Sequence, residues 1–237
     1  MIRLLRGNRP FTLDMLNLLF VEASLELVPR KIARHPSVTR NARKEGKNPE
    51  EVLLDRSLHH HAMLSLPEVE KRGRPDIVHF CLLEALGSPL NKAGKLKPLV
   101  HTLNSDMLDI SPELRLPRDC YRFKSLIEQL FAVGRVPPEG DPLITLTKKS
   151  LSEVKKGVNP SRTIALTSHG KAKKLSDLCM DLSAEPNPLI FLGSYPNGAM
   201  REETLNEVDD AVSIYPEALF ESFHQKLLLK LKEMICF

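Results

Sequence analysis

Residues 162–198 read RTIALTSHGKAKKLSDLCMDLSAEPNPLIFLGSYPNG, and their pattern decides the fold class. RTIALTS (Arg162 to Ser168) reads as a short strand, KAKKLSDLCMDL (Lys171 to Leu182) as a helix, and PLIFLG (Pro188 to Gly193) as an apolar strand. The turn-forming SYPNGAM follows. The alternation continues outward. PLITL (Pro142 to Leu146) is a strand candidate upstream. Downstream come the helix REETLNEV, the strand AVSI (Ala211 to Ile214) and an amphipathic helix from Pro216 to about Met234. Strands alternating with helices predict an α/β fold with a largely parallel sheet covered by helices on both faces.

Such sheets bind ligands beyond the carboxyl ends of their strands. Three segments fall there: LTSHG after Leu166, GSYPNG after Leu192 and SIYPEA after Val212. Small and turn-forming residues let backbone groups approach a ligand closely, although in any one loop they are accounted for by the turn alone. Three at one sheet edge predict a small-molecule pocket. GSYPNG lacks the Lys-Ser/Thr of a phosphate loop, since Ala199-Met200 stands there, and no GxGxxG follows the first strand. A nucleoside triphosphate or dinucleotide is therefore disfavoured.

The first half is less regular. MLNLLFVEASLELV (Met15 to Val28) starts as a buried strand and is expected to turn helical near Ser24. Arg30 to Lys47 holds seven basic residues and one acid. Charge alone reads it as a solvated or disordered loop, within a basic and helical insertion at about 30–70. Asn48 and Pro49 open a helix that carries His59, His60 and His61. The helix DIVHFCLLEALG (Asp76 to Gly87) precedes the strand KPLVHTL (Lys97 to Leu103). A further helix spans Arg118 to Gly134. Residues 1–125 hold 21 Lys+Arg against 15 Asp+Glu and residues 126–237 hold 13 against 15, so the positive excess lies in the first half.

The Asp76–Gly87 helix is flanked by RGRPD on one side and by SPLNKAGK on the other, more polar chemistry than a buried helix needs. Pro75 suits a first turn and Asp76 suits the helix dipole, with an Arg74–Asp76 ion pair as reinforcement. Arg115, Arg118 and Arg122 recur at spacings of three and four beside Tyr121 and Phe123. With a helix starting near Arg118, Arg118 and Arg122 share a face, and planar guanidinium forks suit phosphate. Three consecutive histidines point about 100° apart on a helix and cannot converge on one ion, so they read as a polar helix face. His79 and His101 read as buried and hydrogen bonded, and no catalytic metal is expected. Cys81, Cys120, Cys179 and Cys236 are far apart with no CxxC, and read as reduced thiols. No apolar run approaches the ~20 residues of a membrane span, and MIRLLRGNRP lacks a signal-peptide block, which places the chain in the cytoplasm.

GRPDIVHFCLLEALGSPLNKAGKL, LRLPRDCYRF, GSYPNG and SIYPEA occur together in this order in the family of ribosome-biogenesis methyltransferases acting on small-subunit rRNA, which this chain resembles from about Leu16 onward. The compact length looks like that of archaeal members. The resemblance implies a single SPOUT-type α/β domain over 1–237, whose part from about 140 is threaded into a trefoil knot holding S-adenosylmethionine. It implies a homodimer and methylation of ring nitrogen 1 of a pseudouridine in an rRNA stem-loop. RNA-binding residues then fall on Arg74, Arg115, Arg118 and Arg122. The cofactor pocket falls on Thr167, Gly193, Gly198, Val212, Ser213, Ile214, Tyr215, Pro216 and Glu217. Leu166 stands where the family has glycine, and Ile214 where a polar residue is common. Asp76 is the candidate to orient or deprotonate the base, with Arg74 holding it, and its capping role is the alternative. The Asp76–Gly87 helix is expected to present a polar ledge at each end to one RNA cleft. Two other readings are an rRNA assembly factor whose methylation is secondary and an α/β enzyme acting on a free metabolite.

Overall fold

The computed structural model describes residues 12–214. In chain order the strands are β1 (Leu16–Ala23), β2 (Leu96–Thr102), β3 (Asp106–Ile110), β4 (Arg135–Val136), β5 (Ile144–Lys148), β6 (Thr163–Ala172), β7 (Leu189–Gly193) and β8 (Asp210–Ser213). The helices are α1 (Pro36–Glu45), α2 (Arg56–Met63), α3 (Pro75–Gly87), α4 (Pro89–Lys92), α5 (Cys120–Val133), α6 (Leu151–Val158), α7 (Leu175–Ser183) and α8 (Glu202–Leu205). The strands form one sheet in the order β4-β5-β3-β2-β1-β7-β6-β8.

All of β1 is buried, which explains the apolar run Leu18 to Val21 at its centre: both faces of a central parallel strand need cover. Leu18 and Phe20 pack into one layer with Val78 and Leu82 of α3, Phe123 of α5 and Leu178 of α7. Leu19 and Val21 pack into the other with Val154 of α6, Phe191 and Met200. A third, smaller core of Val28, Ile32, Val38, Leu54, Ala62 and Met63 holds α1 and α2. Phe20, Phe123 and Phe191 are fully buried, and each contributes about 1.5–3 kcal/mol through burial.

The expected α/β architecture is present, with local differences. Only β2, β1, β7, β6 and β8 run parallel; β3, β5 and β4 add an antiparallel edge. The chain turns back from β2 to β3 through Ser105, which takes a left-handed φ of 62°. No helix forms near Ser24. The backbone groups there bond outward instead: Ser24 N–H to the Ser194 carbonyl, Val28 N–H to Val52 and the Glu26 carbonyl to Leu54 N–H. Residues that charge alone assigned to a loop form α1, capped by His35 Nδ1 accepting from Ser37 N–H. Its Val38 and Ala42 are buried. Helix α5 starts at Cys120 with Asp119 as its cap, so Arg118 precedes the helix and shares no helical face with Arg122. Helix α6 was not anticipated. Helix α7 begins only at Leu175, because Lys171 and Ala172 are paired with β8. The amphipathic helix expected from Pro216, and Cys236, lie outside the described residues.

The flanks of α3 also differ from expectation. Ser88 caps α4 by accepting from Asn91 N–H. The buried Asn91 donates to the carbonyls of Leu86 and Pro112, and Lys95 donates to the Leu13 carbonyl. That end of α3 is tied into the fold. Thirteen residues at 1.5 Å each separate it from the Arg74–Asp76 end by roughly 20 Å, and of its polar residues Lys92 is the exposed one.

Candidate functional site

The three loops singled out by sequence lie side by side, because β7, β6 and β8 are adjacent parallel strands. Val212 is registered against both Leu166 and Lys171, so Thr167 to Gly170 leave the ladder and β6 resumes beyond them. Gly170 lies directly against β8: a Cβ on it would come within 2.5 Å of Val212 N and C. Thr167 Oγ1 accepts from His169 N–H at 3.4 Å, while Val212 and Ser213 are buried and Ile214 is half-buried. Lys173 N–H donates to the Ser213 carbonyl. At Gly193 a Cβ would meet the Tyr195 ring at 2.8 Å, and Gly198 has φ +100°, a backbone state that glycine supplies. Ser194 is fully buried, yet its hydroxyl has no partner among the described residues. Tyr215, Pro216 and Glu217 lie outside the described residues.

A charged cluster that the sequence reading missed anchors this edge. Glu22, at the end of β1 with a left-handed φ of 51°, is 3% exposed. Its carboxylate accepts from Lys71 Nζ at 2.5 Å, from Arg201 N–H at 2.7 Å and from Thr204 Oγ1 at 2.8 Å. Lys71 is 4% exposed and sits 4.7 Å from the centroid of the Tyr195 ring. Burial pushes the Tyr195 hydroxyl upward in pKa, and the Glu22 charge adds to the shift. Arg201 also forks onto Glu68, and that hydrogen bonding holds the Glu68 carboxyl below its usual range. Arg72 forks onto Glu26, which also accepts from Asn104 Nδ2. The available signal was the acids of FVEASLEL: a carboxylate inside an otherwise apolar central strand must find partners.

Arg74 stands at the start of α3, and Arg115, Arg118 and Arg122 lie around the start of α5. Arg74 forks onto Asp76, with Nε to Oδ1 at 2.8 Å and Nη2 to Oδ2 at 2.7 Å; both side chains are about half exposed. Asp76 stands in the first turn of α3, so its capping position and its surface access coexist. The N-terminal turns of α3 and α5 are held together by His79, whose Nε2 meets the Pro117 carbonyl at 2.7 Å and whose ring stacks on Phe123 at 4.4 Å. The Cys120 thiol registers this proximity: burial raises its pKa against the opposing Lys124, and the Asp76 carboxylate adds to the rise. Arg115, Arg118, Tyr121 and Arg122 are all exposed.

One residue joins the two sets. Ser24 donates its N–H to the Ser194 carbonyl at 3.0 Å, and its Oγ accepts from Arg74 N–H at 2.8 Å. The loop after β7 and the Arg74–Asp76 pair are therefore neighbours. Elsewhere the histidines are structural. His101 Nε2 meets the Lys149 carbonyl. His59 was expected on a polar helix face but is fully buried, its Nδ1 accepting from Asp55 N–H. Among the described residues no three His, Cys, Asp or Glu gather as a metal site, and no helix is long and apolar enough to cross a membrane.

Known proteins share this arrangement. A family model described as EMG1/NEP1 methyltransferase matches residues 18–229. The ribosomal RNA small subunit methyltransferase Nep1 of Staphylothermus marinus is 42% identical over 207 residues, covering 87% of this chain and 90% of that protein. Nep1 of Thermococcus kodakarensis is 41% identical over 206 residues, covering 86% and 91%. The crystal structure of Archaeoglobus fulgidus Nep1 bound to S-adenosylhomocysteine matches with a TM-score of 0.83 at 36% identity, over 93% of this chain and 99% of that one.

Proposed function

The chain belongs to the EMG1/NEP1 methyltransferase family, and from that premise we propose that it uses S-adenosylmethionine to methylate ring nitrogen 1 of a pseudouridine in small-subunit rRNA during ribosome biogenesis. The observation that supports this reading is the double hydrogen bonding of Ser24, which links the loop after β7 to the main chain of Arg74.

The strand-end residues suit the cofactor. Gly198 holds a left-handed backbone in the loop after β7, Gly170 lets β6 pack directly against β8, and the Ser194 hydroxyl is a buried polar group with no partner among the described residues. Thr167, Gly193, Gly198 and the segment from Val212 to Glu217 would hold it. When bound, S-adenosylmethionine supplies a methyl group on a positively charged sulfur, already a strong electrophile. The protein's share is to fix the reacting groups and to manage one proton. Asp76, held by the Arg74 fork, orients the target base and accepts its N1 proton. Arg74 also offers positive charge to the ring as the N–H bond breaks. Arg115, Arg118 and Arg122 grip phosphates of the stem-loop. The target base leaves its stack, which an RNA loop makes inexpensive.

The trefoil knot belongs to the same proposal. It is supported by β6, which pairs Val212 from two registers and packs Gly170 directly against its backbone. A homodimer acting in the cytoplasm completes the reading, and the mass in solution tests the assembly. The decisive experiment supplies labelled S-adenosylmethionine and two hairpins that differ only in pseudouridine or uridine at the target. Label on the pseudouridine hairpin alone supports the proposal; label on both, or on neither by folded protein, overturns it.

A further inference from the structure

We infer that the outer face of α1 is a second phosphate-binding surface, one that holds the RNA stem flanking the hairpin gripped at α5; the inference rests on the function proposed above. Residues 30–47 carry seven basic side chains and one acid, and the structure sorts them into two groups. Arg30 pairs with Glu50, Lys31 donates to the Ser65 carbonyl, and Lys47 pairs with Glu45 and the buried Glu128. Arg34, Arg40, Arg43 and Lys44 are exposed and make no ion pair among the described residues.

Folding does not account for the second group. At about 100° per residue, Arg40, Arg43 and Lys44 fall within one arc roughly 100° wide, opposite the buried Val38 and Ala42. The helix dipole favours Arg43 and Lys44 in the last turn. It does nothing for Arg40, and like charges three and four residues apart repel. A face of unpaired guanidinium and ammonium groups is retained at some cost to the helix.

The face borders α5. Asn41 and Glu45, on the flank of α1, share a shallow depression with Leu58 of α2 and with Tyr121, Lys124, Ser125 and Glu128 of α5. Tyr121 is 59% exposed and stands between Arg118 and Arg122. Two basic groups, Arg118 with Arg122 and Arg40 with Lys44, thus flank one track that passes the exposed Tyr121 ring and, between them, the carboxylates of Glu45 and Glu128. Phosphate-lined RNA duplex fits such a track, since A-form stems are recognised through shape and backbone contacts. A protein partner fits poorly: α1 has no exposed large apolar side chain to serve as an anchor.

The test measures binding of two RNAs to the full chain across a salt series: a minimal target hairpin, and the same hairpin on an extended stem. The variants are Arg40→Gln alone, which leaves the last turn of α1 intact, and Arg40→Gln/Arg43→Gln/Lys44→Gln. The triple variant is expected to weaken long-RNA binding about tenfold or more and to reduce the salt slope by about 2.7, at ~0.9 per duplex phosphate contact. Arg40→Gln should show about a third of the slope change. Affinity for the minimal hairpin and for S-adenosylmethionine should stay at the wild-type value. Unchanged long-RNA binding, or equal losses on both RNAs, overturns the inference while leaving the proposed function standing. Wild-type protein that binds neither RNA overturns both.

Discussion

The buried Glu22–Lys71 pair offers the sharpest perturbation. Glu22→Gln leaves the Lys71 ammonium 4% exposed without its directly bonded carboxylate, and Lys71→Met leaves the Glu22 carboxylate 3% exposed with two neutral donors. Removing one member of a buried ion pair costs about 3–5 kcal/mol, because the other charge stays desolvated. At ~2–4 °C per kcal/mol for a chain of this size, either single variant should lower Tm by roughly 6–20 °C. The double variant Glu22→Gln/Lys71→Met removes both charges and should recover most of that loss. A urea-denaturation double-mutant cycle reads the coupling, expected to be well above ~1 kcal/mol. Calorimetry adds a functional readout: Arg201 N–H and Thr204 hang on the same carboxylate, so single variants that remain folded should bind S-adenosylmethionine more weakly. Single losses below ~1 kcal/mol that simply add in the double variant would refute this account of the anchor.

Three further outcomes follow from the same geometry. Asp76→Asn should lower stability by less than about 1.5 kcal/mol, since the Arg74–Asp76 pair is half exposed, while single-turnover methylation slows about a hundredfold. A collapse of Tm with an unchanged rate per folded molecule would assign Asp76 to capping alone. Arg118→Ala should weaken hairpin binding and reduce its salt slope by about 0.7–0.9; an unchanged slope removes Arg118 from the phosphate contacts. Burial lowers the pKa of both His59 and His101, so below pH ~6.5 the unfolded chain takes up protons that the folded chain refuses. Stability should therefore fall as pH drops from 7.5 to 5.5, by up to ~1.4 kcal/mol per pH unit for each histidine. Denaturation curves of wild type and His59→Gln at both pH values check this, the variant being expected to lose less; identical curves would contradict it.

The parallel half of the sheet was readable because its strands are buried on both faces, which forces unbroken apolar runs such as PLIFLG. The antiparallel edge was not: DMLDI in β3 has two acids among five residues and the look of a turn. Helix α1 was hidden by its charge, since only Val38 and Ala42 of its ten residues are buried. The three strand-end loops were legible as turns, and strand order supplied their adjacency. Glu22, Lys71 and Arg201 are 49 and 130 residues apart in succession, and no local spacing announces such a cluster. Helix α5 was placed two residues early because Arg118 and Arg122 invited an i, i+4 reading, whereas Asp119 caps the helix between them.

Ser24 has an implication for how the two ligands meet. Its backbone and its hydroxyl are clamped to different partners, so under the proposed function a displacement of the Ser194 carbonyl by the cofactor would be carried within one residue to the main chain of Arg74. Occupancy of the two proposed sites would then be energetically linked, and linkage is mutual: whatever factor the cofactor applied to RNA affinity, RNA would return to cofactor affinity. Replacing that single hydroxyl, as in Ser24→Ala, would bring the factor towards one while leaving both binding surfaces chemically intact.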